Sequence, residues 1–310
     1  MMNVLLIGYG YWGPKLSRNF SNSNYFNLHS ISDLKSLNLR KAQKNYPNVK
    51  TYKDYKKAIK LNKFDLVVVS TPTNTHYKIS KYILSKKINL LVEKPLCNSL
   101  KEHNELNKIA KKNNVNIFVD YPFVHSGSIN FVKYLIDSNK YGKLKSIESY
   151  REQAPIRKDT NVFWDLSIHD VSIVNYLLNN KKVKKIKVIK EKQKSKNFKK
   201  ISIFLEYQNL EVFIKNNWNS PLKIRLIKFV FDNAILLLDE NETLYKIKIY
   251  KQINKQFNQY SLEVPNIDLT EPLTNLINHI YLKIKKKKKS KINKNFYTFT
   301  TDMMKQIEKY

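Results

Sequence analysis

Two folds in series are expected from this sequence. Residues 1–120 predict an α/β domain with a doubly wound parallel sheet, and residues 121–310 an α+β domain with a mostly antiparallel open sheet. Three observations carry this. Apolar strands without polar alternation are separated by helical segments up to about residue 120, the pattern of a parallel sheet covered on both faces. From Val183 to Tyr250, strand patterns follow one another with polar turns such as Gln208-Asn209, which implies antiparallel pairing. Three of the five glycines cluster between the first strand and the first helix. A chain of 310 residues also has the length of about two ordinary domains.

In order, Asn3–Ile7 is a compact apolar strand ending in glycine, and Pro14 stands where a first helical turn tolerates a missing N–H. Asn27–Ser32 reads as a strand and 34–46 as a helix. Leu66–Ser70 is a buried-strand pattern, followed by a helix from about Asn74 to Lys86. A strand at 90–93, a helix at 100–112 and a strand at 115–120 complete the first domain. Beyond it, 129–136 is helical, 144–150 extended, and 162–178 helical. Six strands are then expected at 186–188, 201–207, 212–216, 224–231, 235–238 and 244–250. Helices at 272–285 and 299–310 close the chain. The lysine run Lys285–Lys289 reads as a frayed helix end or loop.

The 57 Lys and Arg against 25 Asp and Glu give a formal charge of +32, which invites a nucleic-acid reading. Arginine, the residue that reads guanine edges with a planar fork, occupies only positions 18, 40, 151, 157 and 225. The lysines are spread along the chain together with abundant Asn and Ile, so the charge is read as compositional, with no nucleic acid as partner. One cysteine, Cys97, excludes an intrachain disulfide and a cysteine-rich zinc site. Apolar runs are strand-sized, far short of the roughly 20 residues of a membrane span, and no leader pattern precedes Val4–Ile7. A cytoplasmic protein with no membrane partner is the expectation.

The segment Gly8-Tyr9-Gly10-Tyr11-Trp12-Gly13 is a G-x-G-x-x-G placed after a strand and opening a helix. Gly8 would allow the tight turn, Gly10 the approach of backbone to a pyrophosphate, and Gly13 close helix–strand packing. Phosphates would rest on the positive end of the helix. Asp33, 20 residues past Gly13, fits a ribose-binding carboxylate that favours NAD over NADP, or an N-cap for the next helix. Ser70-Thr71-Pro72-Thr73-Asn74-Thr75-His76 follows the end of an apolar strand, where small hydroxyl residues would reach the dinucleotide. His76 reads equally as a ligand contact or as a helix-start residue. Glu93-Lys94-Pro95 ends another strand, and Lys94, beside a cationic nicotinamide, could exchange a substrate proton. Asp165 and His169, four apart, share a helix face, and His is the natural acid/base near neutral pH. No third ligand accompanies them, so no metal is expected.

Together these segments resemble the glucose–fructose oxidoreductase/inositol dehydrogenase (Gfo/Idh/MocA) family. The resemblance rests on residues 8–14, 70–76, 93–95 and 161–170 (Asn-Val-Phe-Trp-Asp-Leu-Ser-Ile-His-Asp), and it runs from residue 1 to about 180. It implies hydride transfer between NAD(P) and a secondary alcohol or ketone carbon of a sugar or cyclitol, with Lys94 and His169 as acid/base groups and Asp165 orienting substrate or histidine. The cofactor set it implies is Gly8, Gly10, Tyr11, Trp12, Gly13, Asp33, Ser70, Thr71, Pro72, Asn74, His76, Glu93 and Lys94. The combination Tyr-Trp-Gly-Pro with Asn-Val-Phe-Trp-Asp-Leu is most similar to nucleotide-sugar 3-dehydrogenases acting on UDP-linked N-acetylhexosaminuronates or related sugars in polysaccharide synthesis. Arg151 and Arg157 would then grip a carboxylate or diphosphate alongside Asp165 and His169. A free-sugar or inositol dehydrogenase, or a non-catalytic NAD-binding protein, is the alternative. The family also implies a homodimer or homotetramer.

Overall fold

A computed structural model describes residues 1–157, 160–191, 198–254, 256, 259–286, 292 and 295–310. The chain divides into two units, Met1–Pro122 with Glu271–Lys291, and Phe123–Thr270 with Ile292–Tyr310.

The first unit alternates β1 (Met2–Ile7), α1 (Gly13–Ser21), β2 (Phe26–Ser32), α2 (Ser36–Asn45), β3 (Lys50–Tyr52), α3 (Tyr55–Leu61), β4 (Leu66–Val69), α4 (Thr73–Ser85), β5 (Asn89–Glu93), α5 (Leu100–Asn113) and β6 (Ile117–Asp120). Its sheet runs β3-β2-β1-β4-β5-β6 with every pair parallel. β4 is Leu-Val-Val-Val with all four residues buried, as a strand covered by helices on both faces requires. The strand order reverses between β1 and β4, so the loops after these strands open at the switch point where such sheets bind ligands. α5 begins with Ser99 Oγ accepting the Glu102 N–H and ends at Asn114 in the left-handed region, φ 53°.

The second unit contains α6 (Gly127–Asp137), β7 (Leu144–Glu152), α7 (Ile168–Leu177) and seven further strands. These are β8 (Lys185–Lys190), β9 (Lys200–Tyr207), β10 (Leu210–Asn217), β11 (Ile224–Phe231), β12 (Ala234–Asp239), β13 (Ile247–Asn254) and β14 (Gln259–Glu263). They form one sheet, β14-β13-β12-β11-β7-β10-β9-β8. Only β7 and β10 pair in parallel; all other neighbours are antiparallel. Buried and open residues alternate along β9 and β10, the signature of a sheet with one covered face. The two final helices are α8 (Pro272–Lys285) and α9 (Phe296–Glu308). No helix among the described residues is long and apolar enough to cross a membrane.

Four features depart from the sequence expectation. β3 and α3 were not foreseen, because Lys50-Thr51-Tyr52 is short, polar and incompletely buried. β14 was not foreseen either, since it is an open edge strand with little apolar content. The helix expected over 162–178 starts as a π-helical turn at Phe163–Ser167 before α7. The domain expected over 121–310 is interrupted, because Glu271–Lys291 joins the first unit. The reason is packing: Leu273, Leu276, Ile277 and Ile280 of α8 are buried in the same apolar cluster as Val4, Leu6, Leu16, Phe20 and Phe26. Each such side chain contributes about 1.5–3 kcal/mol. Of the lysine run, Lys285 ends α8 and Lys286 caps it; residues 287–289 lie outside the described residues.

Candidate active site

The turn between β1 and α1 is built around glycine for steric reasons visible in the backbone. Gly8 has φ +98°, and a Cβ there would run into the carbonyl oxygen of Ser70 at the end of β4. A Cβ on Gly13 would strike the Gly8 carbonyl oxygen, so α1 starts hard against the turn. A Cβ on Gly10 would meet nothing within 4 Å, so this face of the turn is open to an approaching ligand. Beside it, Ser70 Oγ is buried with no hydrogen-bond partner among the described residues. A cradle of bare backbone at a helix start, next to an orphaned hydroxyl, fits a dinucleotide's pyrophosphate.

Asp33 serves the turn as well as any ligand. Its Oδ2 accepts the Tyr9 N–H at 2.7 Å and the Asn38 amide at 3.1 Å, while Oδ1 accepts the Lys35 N–H at 2.8 Å. The expected N-cap role falls to Lys35, so the carboxylate is an Asx-type brace instead. Tyr11 is exposed, and Lys15 Nζ lies over the Trp12 ring, 4.1 Å from its centroid. Pro72 is the residue preceding α4 and Asn74 is exposed. Thr71 Oγ1 and Thr75 Oγ1 are hydrogen-bonded at 2.7 Å.

His76 is a correction to the expected ligand contact. It is 1% exposed, with Nδ1 2.8 Å from the Pro95 carbonyl and Nε2 2.8 Å from the Thr71 carbonyl. Burial lowers its pKa, against the two carbonyl bonds that raise it. The ring is wedged between the turn after β4 and the turn after β5, and the single N–H of its neutral form can donate to one of the two carbonyls.

At the ends of β5 and β6, Glu93 and Asp120 are direct register partners. The Trp12 indole N–H donates to Asp120 Oδ2 at 2.9 Å. Burial, then the neighbouring Asp120 charge and hydrogen bond, raise the Glu93 pKa well above the usual carboxylate range. Burial raises that of Asp120 too, while bonds from Glu93 and Trp12 oppose the rise. Burial and their proximity both disfavour a second negative charge on this pair. Lys94, half-buried, is close enough for its charge to act on both.

In the second unit, Asp165 accepts from the Trp218 indole at 3.1 Å and from Arg157 at 3.3 Å. His169, on α7, stands edge-on to Phe123 with centroids 5.1 Å apart. The Arg151 guanidinium lies over the same phenyl ring, 4.6 Å from its centroid. Asp165 and His169 are half-buried, while Leu166, Ser167, Ile168 and Asp170 around them are buried. The π turn at 163–167 is the kind of local bulge that often marks a functional site.

Arg151 is the second correction, because it offers no free fork to a substrate. Its side chain is 4% exposed and bonds Asp170 at 3.2 Å and Glu240 at 2.9 Å. Asp170 in turn accepts from Ser149 Oγ at 2.9 Å and Asn216 Nδ2 at 2.7 Å. Burial works against the Arg151 charge, but the two carboxylates more than offset it and hold its pKa above the ordinary range. Arg157, by contrast, is 44% exposed at its side chain.

Sequence reasoning assigned no role to Asp120, Phe123 or Trp218. Asp120 alone carried a signal, as a carboxylate at the carboxyl end of a strand beside the one ending in Glu93 and Lys94.

These features meet in the comparisons with known proteins. Residues 2–121 match the oxidoreductase family with an NAD-binding Rossmann fold, Gfo/Idh/MocA. The match covers the first unit's strand–helix alternation and its glycine turn, and over those residues the chain is similar to the Gfo/Idh/MocA oxidoreductases. The myo-inositol 2-dehydrogenase of Thermotoga maritima is 26% identical over 183 residues, 57% of this chain and 55% of that protein. The chain thus spans about half the length of the curated relatives it matches. Among solved structures, a UDP-N-acetylglucosamine 3-dehydrogenase from Acidithiobacillus ferrooxidans superposes with a TM-score of 0.85 at 15% identity, covering 99% of this chain and 96% of that one. An oxidoreductase from Agrobacterium radiobacter, in complex with NAD+, L-tartaric acid and magnesium, does so with 0.84 at 14% identity, covering 99% and 95%. At such identities the superpositions establish a shared two-part fold and nothing further.

Proposed function

We propose that this chain is a Gfo/Idh/MocA-type, NAD-dependent dehydrogenase of a secondary alcohol on a sugar, with a UDP-linked N-acetylhexosaminuronate or related nucleotide sugar, oxidised at C3, as the first substrate to test. The observation that carries the cofactor reading is the glycine turn, open at Gly10 and flanked by the orphaned Ser70 hydroxyl. Gly8, Gly10 and Gly13 would hold the pyrophosphate, and Ser70 and Thr71 the adjoining backbone of the dinucleotide. Asp33, at the end of β2, favours NAD over NADP by repelling a 2′-phosphate. Bound nicotinamide supplies the hydride acceptor in oxidation and the donor in reduction.

Lys94 takes the hydroxyl proton at Nζ in oxidation and returns it in reduction. His169 is the second acid/base group, supported by its half-open place at the start of α7. Asp165, held by Trp218 and Arg157, orients its neighbours. The burial of Arg151 favours a second reading, an unlinked polyol or inositol, since one of the two arginines expected to grip an anionic substrate is committed elsewhere. The test is reduction of NAD+ followed by absorbance across UDP-hexuronates, free hexoses and inositols. Turnover confined to UDP-linked sugars is expected; turnover confined to unlinked polyols would replace the first reading by the second, and NAD binding without any turnover would refute both.

A further inference from the structure

Glu93 and Asp120 are an unusual pair to find where they are. Strands β5 and β6 place them side by side at their ends, Asp120 1% exposed. Glu93 Oε1 and Asp120 Oδ1 are both buried and meet no N–H or O–H among the described residues. Two carboxylates left so would repel; with one proton between them they satisfy each other and keep a single negative charge. The remaining Asp120 oxygen takes the indole N–H of Trp12, from the glycine turn.

We propose that Asp120 is a positioning residue of the cofactor site: with Glu93 it forms a one-proton, one-charge pair that ties the glycine turn to the strand end carrying Lys94 and sets the charge beside that lysine. This rests on the reading of Lys94 as the proton-exchanging group. Lys94 is the charged neighbour acting on both carboxyl groups. His76 faces the Pro95 carbonyl next door, Trp12 carries no titratable group, and Cys97 is buried further along the same turn.

The pair has a diagnostic property. Asp120→Asn leaves Glu93 to ionise against a side-chain amide, and Glu93→Gln leaves Asp120 ionised in the same way. Either single change keeps one negative charge; only the double change removes it. An opposite charge at contact distance moves a pKa by about 1–3 units, so the double variant should titrate Lys94 lower by about that much, and each single variant should not move it by more than a few tenths of a unit.

The measurement is the rate of Lys94 acetylation against pH, read peptide by peptide by mass spectrometry on the full chain, with NAD affinity measured in parallel by dialysis. A midpoint held in both single variants and lowered in the double variant is expected. A midpoint that shifts in either single variant, or stays put in the double, would overturn the proposal. If that double variant does not fold, Glu93→Leu combined with Asp120→Asn takes its place as the charge-free variant, with the same two outcomes. Because amine reactivity needs no turnover, failure of the dehydrogenase reading appears separately, as absent NAD binding or absent reduction.

Discussion

Replacing Arg151 by methionine separates a structural arginine from a substrate-binding one. The guanidinium is 4% exposed and neutralises Asp170, 0% exposed, and Glu240, 14% exposed at their side chains. Methionine fills much of the volume but leaves Asp170 with only Ser149 and Asn216 as donors, and Glu240 without its guanidinium. Breaking a buried pair from one side costs about 3–5 kcal/mol, because the remaining charge stays desolvated. In a unit of this size each kcal/mol moves the melting temperature by about 2–4 °C, so a fall on the order of 10 °C is expected. Urea and thermal unfolding followed by the fluorescence of Trp164 and Trp218, both in the second unit, would measure it. A loss below about 1 kcal/mol, accompanied by a raised KM for an anionic substrate, would refute the structural role and restore the arginine to the binding surface.

Two further outcomes follow from the first unit. Gly10→Ala should keep the melting temperature but weaken NAD binding, since its methyl enters open space on the ligand face, whereas Gly8→Ala should lose both, because its φ of +98° and the Ser70 carbonyl leave no room; equal stability losses in the two variants, by thermal melting and dialysis, would contradict the open-face reading. Burial lowers the His103 pKa to about 4 from an ordinary 6.5. The unfolded chain therefore takes up a proton between pH 6.5 and 4 that the folded chain refuses, and stability falls as pH falls through that window, by about 3 kcal/mol in full. His103→Gln should flatten this slope in urea titrations at a series of pH values, and an unchanged slope would show that the burial does not govern it.

The parallel sheet was legible in the sequence because most of its strands are buried on both faces, and such strands are written as unbroken apolar runs. β3 escaped for the converse reason: three residues headed by an exposed lysine carry no such pattern. The glycine turn was legible down to the separate tasks of Gly8 and Gly13, since both are consequences of a missing Cβ in a strand–turn–helix context. Asp33 was legible only as a carboxylate in a suitable place; that it holds the Tyr9 N–H depends on how the turn folds back over β2. Arg151 was misread because its fate is set by Asp170, 19 positions away, and Glu240, 89 positions away. No local pattern announces such partners. The Glu93–Asp120 pairing likewise needed the register of β5 and β6 before either carboxyl group could be seen to face the other.

Helix α8 gives the first unit an interrupted chain, and this shapes how the protein is made. A ribosome delivers Met1–Pro122 with the six-stranded sheet complete, but the apolar patch that Leu273, Leu276, Ile277 and Ile280 cover has to wait until Glu271 and the residues after it have emerged. At synthesis rates of about 5–20 residues per second, that surface stays open for on the order of ten seconds. During that interval the nascent amino-terminal portion is a natural client for a holdase chaperone, and a fragment cut at residue 122 would keep the same sticky surface for good.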